Sequence, residues 1–455
     1  MKTASWQKNS IGQVSLLLLV FGLILAISGC GGEDGAGGGS DPDGDTPPGA
    51  TQTGRWRSEA IRQLQPGGLL TPDIKAYITG DGTVHLVYFD DENMQPGHYN
   101  IQLLSWPSTQ TRLQDTLTPA TLATIDNCHT VALAMNTDGT PGIAYQGGAL
   151  KDCGGEEQAD AMITLSHNDN WSEYTAAIGF VERNPVFQDG LAGGDMDLAI
   201  DTNGDIHLCY QFFYEGCDAM NFAYPDLLYV KKYAQAPGAE VEEETIEGNT
   251  YFASGGIQNN VGTACKLILD ADQNPIVFYY AELPDGEYGL RMATKGTGNW
   301  ETNWIETGVR VAAISAAMDP EGYLGVAYYV VDFVNTLTNE VSPACLRYAA
   351  QPLAAGEDWH TTMVDDASLC GKYPSLAFNS QGNPAIAYYT AESYSGYTLE
   401  NLNLAVKAGM LWERDLVAQT GNVGLYNTLW FGPEDQPVVC SYSQTEQTIY
   451  LFKKE

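Results

Sequence analysis

Seven stretches of the chain repeat one order of apolar and polar positions. Each has a mostly apolar run, a turn of Asp, Asn or Gly, and a second apolar run ending at or near Tyr. They are DIKAYITGDGTVHLVYF (73–89), TVALAMNTDGTPGIAYQ (130–146), DMDLAIDTNGDIHLCYQ (195–211), ACKLILDADQNPIVFYY (264–280), AAISAAMDPEGYLGVAYY (312–329), PSLAFNSQGNPAIAYYT (374–390) and YNTLWFGPEDQPVVCSY (426–442). Such a pattern predicts two antiparallel strands joined by a tight turn whose Asp-Gly or related residues supply positive φ. The second strands open at Val84, Pro141, Ile206, Pro275, Leu324, Pro384 and Pro437, about 59 residues apart, which is longer than one hairpin. The remainder holds a third run (NIQLLSW, AMITLSH, LLYVKKY, GLRMATK, CLRYAAQ, LNLAVKA, TIYLFKK) and in most repeats a Trp-led fourth, as at 304–306, 359–364 and 412–417. Four strands per repeat, arranged radially, make a β-propeller blade.

Closure is predicted from two features. The first strands are apolar on both faces: Ala76, Leu133, Leu198, Leu267, Ala316, Leu376 and Leu429 point one way, and Tyr77, Ala134, Ala199, Ile268, Ala317, Ala377 and Trp430 the other. A sheet buried on both faces needs a neighbour on each. The seventh repeat also ends at its third strand, and the missing Trp-led strand stands at the other end of the domain, at 54–61. The expectation is an all-β, seven-bladed β-propeller over 54–455, four antiparallel strands per blade, its ring closed by an N-terminal strand. The recurring D-x-x-G-x-P-apolar-x-x-Tyr hairpin resembles the repeats of secreted bacterial propellers. The resemblance implies the fold over nearly the whole domain but no activity, because propellers host hydrolases, lyases and binding modules alike.

The first 53 residues are different. Lys2 and Lys8 precede an apolar run at 14–27, and Ile27-Ser28-Gly29-Cys30 follows. A basic start, a short apolar stretch and small residues before a cut describe an export signal at 1–29, too short to span a bilayer, which takes roughly 20 residues. The Ile-Ser-Gly-Cys ending resembles the bacterial lipobox, which implies lipid on Cys30 as the membrane partner. Gly31 after it favours the outer membrane or cell surface over the inner membrane of the envelope. Residues 30–53, GGEDGAGGGSDPDGDTPPG at their heart, have no large apolar side chain and read as a flexible tether. Asp41, Asp43 and Asp45 alternate as in some calcium loops but lack the closing Glu of an EF-hand.

With 57 Asp+Glu against 21 Lys+Arg, net charge is −36. That excludes nucleic acid as a partner through basic patches. Beyond Cys30 the cysteines are 128, 153, 209, 217, 265, 345, 370 and 440. An even count in an exported chain suggests disulfides. Loop positions suggest Cys128–Cys153, Cys345–Cys370 and Cys209–Cys217, leaving Cys265 and Cys440 as buried thiols. No CxxC or His spacing supports a metal, and no cofactor motif is present.

Long connections between second and third strands (146–160, 212–226, 330–344) share one face with the starts of the first strands. A binding pocket there would draw on Asp73, Lys75, His129, Asp195, Asp197, Lys266, Ser315, Tyr373, Ser375, Tyr426 and Asn427. Asp195 and Asp197, two apart on a strand, share a face and are the catalytic pair if there is one, since paired carboxylates at such spacing serve glycoside chemistry. His85 and His207 occupy one repeat slot and read as structural. So do Tyr88, Tyr145, Tyr210, Tyr279, Tyr328 and Tyr388, as core rings with polar tips. Neither the sialidase Asp-box nor a G-x-S-x-G elbow occurs. Arg291 and Arg347 fall on third strands, away from the funnel. The reading is a lipid-anchored module binding a protein or glycan on the long-loop face. The alternatives are a propeller glycoside hydrolase or lyase using Asp195 and Asp197, and a structural envelope scaffold.

Overall fold

The computed structural model describes residues 55–64, 74–90, 98–110, 117–126, 131–136, 141–147, 160–167, 170–177, 189–215, 225–233, 242–248, 260–283, 285–296, 298–331, 333–334, 341–342, 344–352, 357–367, 369–394, 397–419 and 421–455. The export signal, Cys30 and the tether lie outside them, as do Asp73, His129, Cys128, Cys153 and Cys217. Most of the three long connections does too, although a two-stranded ladder of Phe333–Val334 with Val341–Ser342 is seen in the third.

The chain is an all-β propeller of four-stranded antiparallel blades. Among the described residues there are seven four-stranded sheets: sheet one (74–126), two (131–177), three (189–247), four (260–307), five (311–365), six (370–418) and seven (423–454 with Trp56–Gln63). In sheet seven the fourth strand is Trp56–Gln63, paired antiparallel to Thr448–Lys454 from Trp56 opposite Lys454 to Gln63 opposite Thr448. The inner strand of each sheet lies against that of the next, and Val423–Phe431 lies against Ile74–Ile78. The hairpin turns follow from local chemistry. Asp201, Asp270, Asp319 and Asn379 each accept the backbone N–H groups two and four residues on. The residue after the bend is left-handed at Gly82, Gly204, Gly322 and Gly382, and at Gln273 and Asp435.

Two belts of polar contacts join neighbouring sheets. The first is at the inner strands. Leu267 N–H donates to Asp197 (2.9 Å), Leu376 N–H to Ser315 (2.9 Å), Leu429 N–H to Ser375 (2.8 Å) and Ala76 N–H to Thr428 (3.2 Å). Each acceptor precedes the apolar column by one residue and reaches the column residue of the next sheet, the last contact joining sheet seven to sheet one.

The second belt is further out. Every fourth strand carries a one-residue bulge that skips an apolar residue, such as Ile61, Ile246, Ile305, Val364 or Val417. The residue after the bulge in sheets three, four and five is an acid, and it is seized by the next sheet. Tyr279 hydroxyl donates to Glu247 (2.7 Å), which Arg291 also holds (3.1 Å). Tyr328 and Arg347 hold Glu306 in the same way. Tyr388 (2.7 Å) and Arg414 (2.5 Å) hold Asp365. Asp415 takes Trp56 Nε1 (3.0 Å) and Lys454 (2.8 Å), and Arg62 pairs with buried Asp90 at 3.3 Å. The tyrosine column is fully buried. Burial, with the adjacent carboxylates, pushes the hydroxyls of Tyr279, Tyr328 and Tyr388 well up, so they remain donors.

The cysteines differ from expectation. Cys209, Cys345 and Cys370 are free, buried thiols, as are Cys265 and Cys440. Cys370 Sγ donates to its neighbour's Asp365 carbonyl at 3.1 Å instead of reaching Cys345. Cys209 packs toward sheet four, among Tyr229, Val261 and Cys265, because strand alternation turns it into the core.

Both repeat-slot histidines are buried. His207 sits between Tyr229 hydroxyl (2.6 Å) and Asp201 (3.4 Å), and His85 contacts Ser105 hydroxyl (2.8 Å). Burial holds both pKa values below the ordinary histidine value, with Lys231 adding to the effect at His207 and Asp201 opposing it. The unfolded chain therefore takes up protons first as pH falls. Stability present above about pH 6.5 should be lost progressively below it. A melting temperature that declines between about pH 6.5 and 5, and declines less in a His85→Gln, His207→Gln variant, is expected. Equal slopes in both proteins would refute it.

Candidate functional site

The starts of the inner strands carry the irregular backbone of this molecule. Gly262, Gly371 and Gly424 have positive φ, and two residues on, Ala264 (φ 57), Tyr373 (φ 51) and Tyr426 (φ 52) are left-handed as well. Each glycine stands five residues before a column leucine: Leu267, Leu376 or Leu429. A side chain is blocked there. A Cβ on Gly371 would lie 2.8 Å from Leu346 Cβ, and one on Gly424 3.0 Å from the Asn401 carbonyl. The strand ladder breaks twice across each segment. Left-handed backbone costs a non-glycine residue of order 1–3 kcal/mol, and such strain collects at ligand clamps.

The strain brings two of the expected residues together. Tyr373 of sheet six and Tyr426 of sheet seven pack at 4.7 Å between ring centroids, tilted by 49°, and Tyr389 meets Tyr373 edge-on at 6.4 Å. Asn427 braces the pair. Its Nδ2 donates to the Tyr373 carbonyl (3.0 Å) and the Gly424 carbonyl (2.8 Å), while its buried Oδ1 has no partner among the described residues. Both tyrosines are half-buried, and both pack against the core cluster that spans sheets seven and one.

Asp195, Asp197 and Lys266 also come together, at the border of sheets three and four. Asp195 and Asp197 do share a face. That face meets the next sheet, and not open solvent. Asp195 accepts the Ala264 N–H (3.0 Å); Asp197 accepts Lys266 Nζ (3.0 Å) with one oxygen and the Leu267 N–H (2.9 Å) with the other. Burial opposes the Lys266 charge, but the Asp197 carboxylate beside it holds its pKa above the ordinary lysine value. Carboxylates so engaged fix one sheet to another. Ser315 and Ser375 do the same, and Lys75 is half-buried on its inner strand. The expected pocket residues thus divide into a tyrosine cluster at one place and a structural belt at others.

Two features escaped sequence reading: the glycines at the starts of these inner strands and the acids of the outer belt. The glycine five residues before four of the five column leucines (Leu198, Leu267, Leu376 and Leu429) was the available signal for the first.

No family model matches the chain, and no curated protein matches it. Solved structures do. An ulvan lyase of polysaccharide lyase family PL25, bound to -[GlcA(1-4)Rha3S]-, is 13% identical, with 88% of this chain and 95% of that one covered at a TM-score of 0.52. A second polysaccharide lyase is 13% identical, covering 86% and 90% at 0.51. A Trypanosoma rangeli sialidase, 11% identical over 85% of this chain and 59% of its own, superposes more loosely at 0.43. At these identities the likeness to the two lyases is one of fold.

Proposed function

We propose that this chain is a glycan-binding propeller held at the bacterial cell envelope by lipid on Cys30, with seven blades closed into a ring by Trp56–Gln63. The observation that carries the binding role is the Tyr373–Tyr426 pair, held in left-handed backbone at the mouth and braced by Asn427. Aromatic faces fixed at a backbone cost suit the C–H faces of a sugar ring, and a preformed platform binds with less ordering loss. The two lyases of similar fold act on polysaccharide, which supports a glycan over a protein ligand. The net charge of −36 favours a neutral glycan. The envelope address rests on the Ile27-Ser28-Gly29-Cys30 sequence and on residues 30–53 as a spacer. The ring rests on the seven sheets and the contact between the first and last inner strands. Asp195 and Asp197, spent on backbone N–H groups, have no role in binding here. The test is binding of the full chain to a panel of neutral and anionic polysaccharides, with a Tyr373→Ala, Tyr426→Ala variant beside it. Loss of about tenfold or more in the variant is expected, because stacked aromatic contacts contribute well beyond their area.

A further inference from the structure

At the other end of the strands, where the first and second turn, sheets five and six part to leave a cleft of about 310 Å³. That is the lower end of the range for small-molecule sites, about 300–1,000 Å³. Tyr323, Tyr348 and Phe378 line it together with Asp319, Gln381 and Lys407. Gly325 lets the two sheets meet: a Cβ there would stand 2.7 Å from Phe378 and 2.8 Å from the Tyr348 hydroxyl.

Lys407 is out of character for this molecule. Lys231, Lys266, Lys295, Lys454, Arg291 and Arg414 each sit on a carboxylate, as expected in a chain with 57 acids and 21 bases. Lys407 makes no ion pair among the described residues. Its Nζ lies 5.3 Å from the Tyr348 ring centre instead, and no acid offsets the burial that holds its pKa down. Asp319 spends one oxygen on the Glu321 and Tyr323 N–H groups (2.9 and 2.8 Å) and keeps the other for a donor.

We propose that this cleft binds a uronic acid unit, its carboxylate on Lys407, its hydroxyls on Asp319 and Gln381, and its ring against the aromatic wall. A bare inorganic anion would use neither the aromatics nor the acceptors and would be repelled by Asp319 and Glu321. A neutral sugar would leave the Lys407 ammonium half-desolvated and unpaired. The negative field of the chain disfavours polyanions, so the unit is a single uronate at the end of, or isolated within, a neutral glycan. The site is separate from the tyrosine mouth and does not depend on it.

The test is calorimetric titration of the full chain with sodium glucuronate and galacturonate, with glucose and acetate as controls. Saturable uronate binding at least about tenfold tighter than glucose or acetate is expected, since a hydrogen bond to a charged group is worth about 1.5–3 kcal/mol. Lys407→Met should remove that margin and Lys407→Arg should keep part of it. Should Lys407→Met lower the melting temperature, Tyr323→Ala at the exposed rim provides the second reading and should weaken uronate binding in a folded protein. The Tyr373→Ala, Tyr426→Ala variant should bind uronate as wild type does, which separates this site from the mouth. Equal affinity for glucuronate and glucose, equal affinity for acetate, binding indifferent to both Lys407→Met and Tyr323→Ala, or no uronate binding at all would overturn the assignment.

Discussion

Replacing Asp365 by Ala is expected to destabilise the domain by about 3 kcal/mol or more, the range for breaking a buried ion pair being about 3–5 kcal/mol. Asp365 is buried at the end of the fourth strand of sheet five and accepts from Tyr388, Arg414 and its own Ala367 N–H (3.0 Å). Removing the carboxylate leaves the fully buried Tyr388 hydroxyl without an acceptor and a guanidinium at a sheet border without its charge partner. Arg414 is about one-third exposed, so water recovers part of its loss and the lower end of the range applies. Asp366→Ala, one residue on and exposed, should change stability by no more than about 0.5 kcal/mol. Chemical denaturation of both variants decides the matter. A loss below about 1 kcal/mol at Asp365 would mean that the outer belt is ornamental, as exposed ion pairs usually are.

Deleting residues 54–63 should have the largest effect of all, a chain that no longer folds to a soluble, protease-resistant domain. The deletion removes the fourth strand of sheet seven and with it buried Ile61, the Trp56 contact to Asp415 and the Arg62 pair with Asp90. It therefore removes outer contacts of sheet seven with sheet six and with sheet one at once, while those of the inner strands remain. It also exposes the ladder edge of Thr448–Lys454, a template for aggregation. Circular dichroism and limited proteolysis of the deleted chain are the readout, and a peptide of residues 55–64 supplied in trans should restore part of the resistance. A soluble product with unchanged melting would contradict the closing role of this strand.

Much of the fold could be read from the sequence, because each blade repeats its own period-two pattern and its own turn chemistry. The third strands, the Trp-led fourth strands and the segment around Trp56 all stand where the pattern put them. The site was harder for a physical reason. Alternation assigns a residue to one of two faces, but an inner propeller strand has a neighbouring sheet on both. Asp197, Ser315 and Ser375 therefore looked like lining of a channel and proved to be acceptors for the backbone of the next sheet. The outer acids were hidden by the same limit. Glu247, Glu306 and Asp365 look like three of many scattered carboxylates until the bulge before each turns it toward the neighbouring Tyr and Arg. The Cys345–Cys370 and Cys209–Cys217 pairings failed because position in a loop was weighed without side-chain direction, which buries Cys209, Cys345 and Cys370. Tyr373, Tyr426 and Asn427 stood out because they are polar or aromatic at the start of an inner strand, and they lie together across sheets six and seven. The left-handed backbone that holds them depends on packing between sheets, which no single repeat encodes.

The most direct test of the glycan-binding reading measures affinity and product formation together, with the full chain and a panel of polysaccharides. The account predicts saturable binding to a neutral glycan without turnover, weakened about tenfold or more by Tyr373→Ala, Tyr426→Ala and retained by a folded Asp195→Asn, Asp197→Asn variant. Turnover that disappears in the aspartate variant, or binding that ignores the tyrosines, would contradict it.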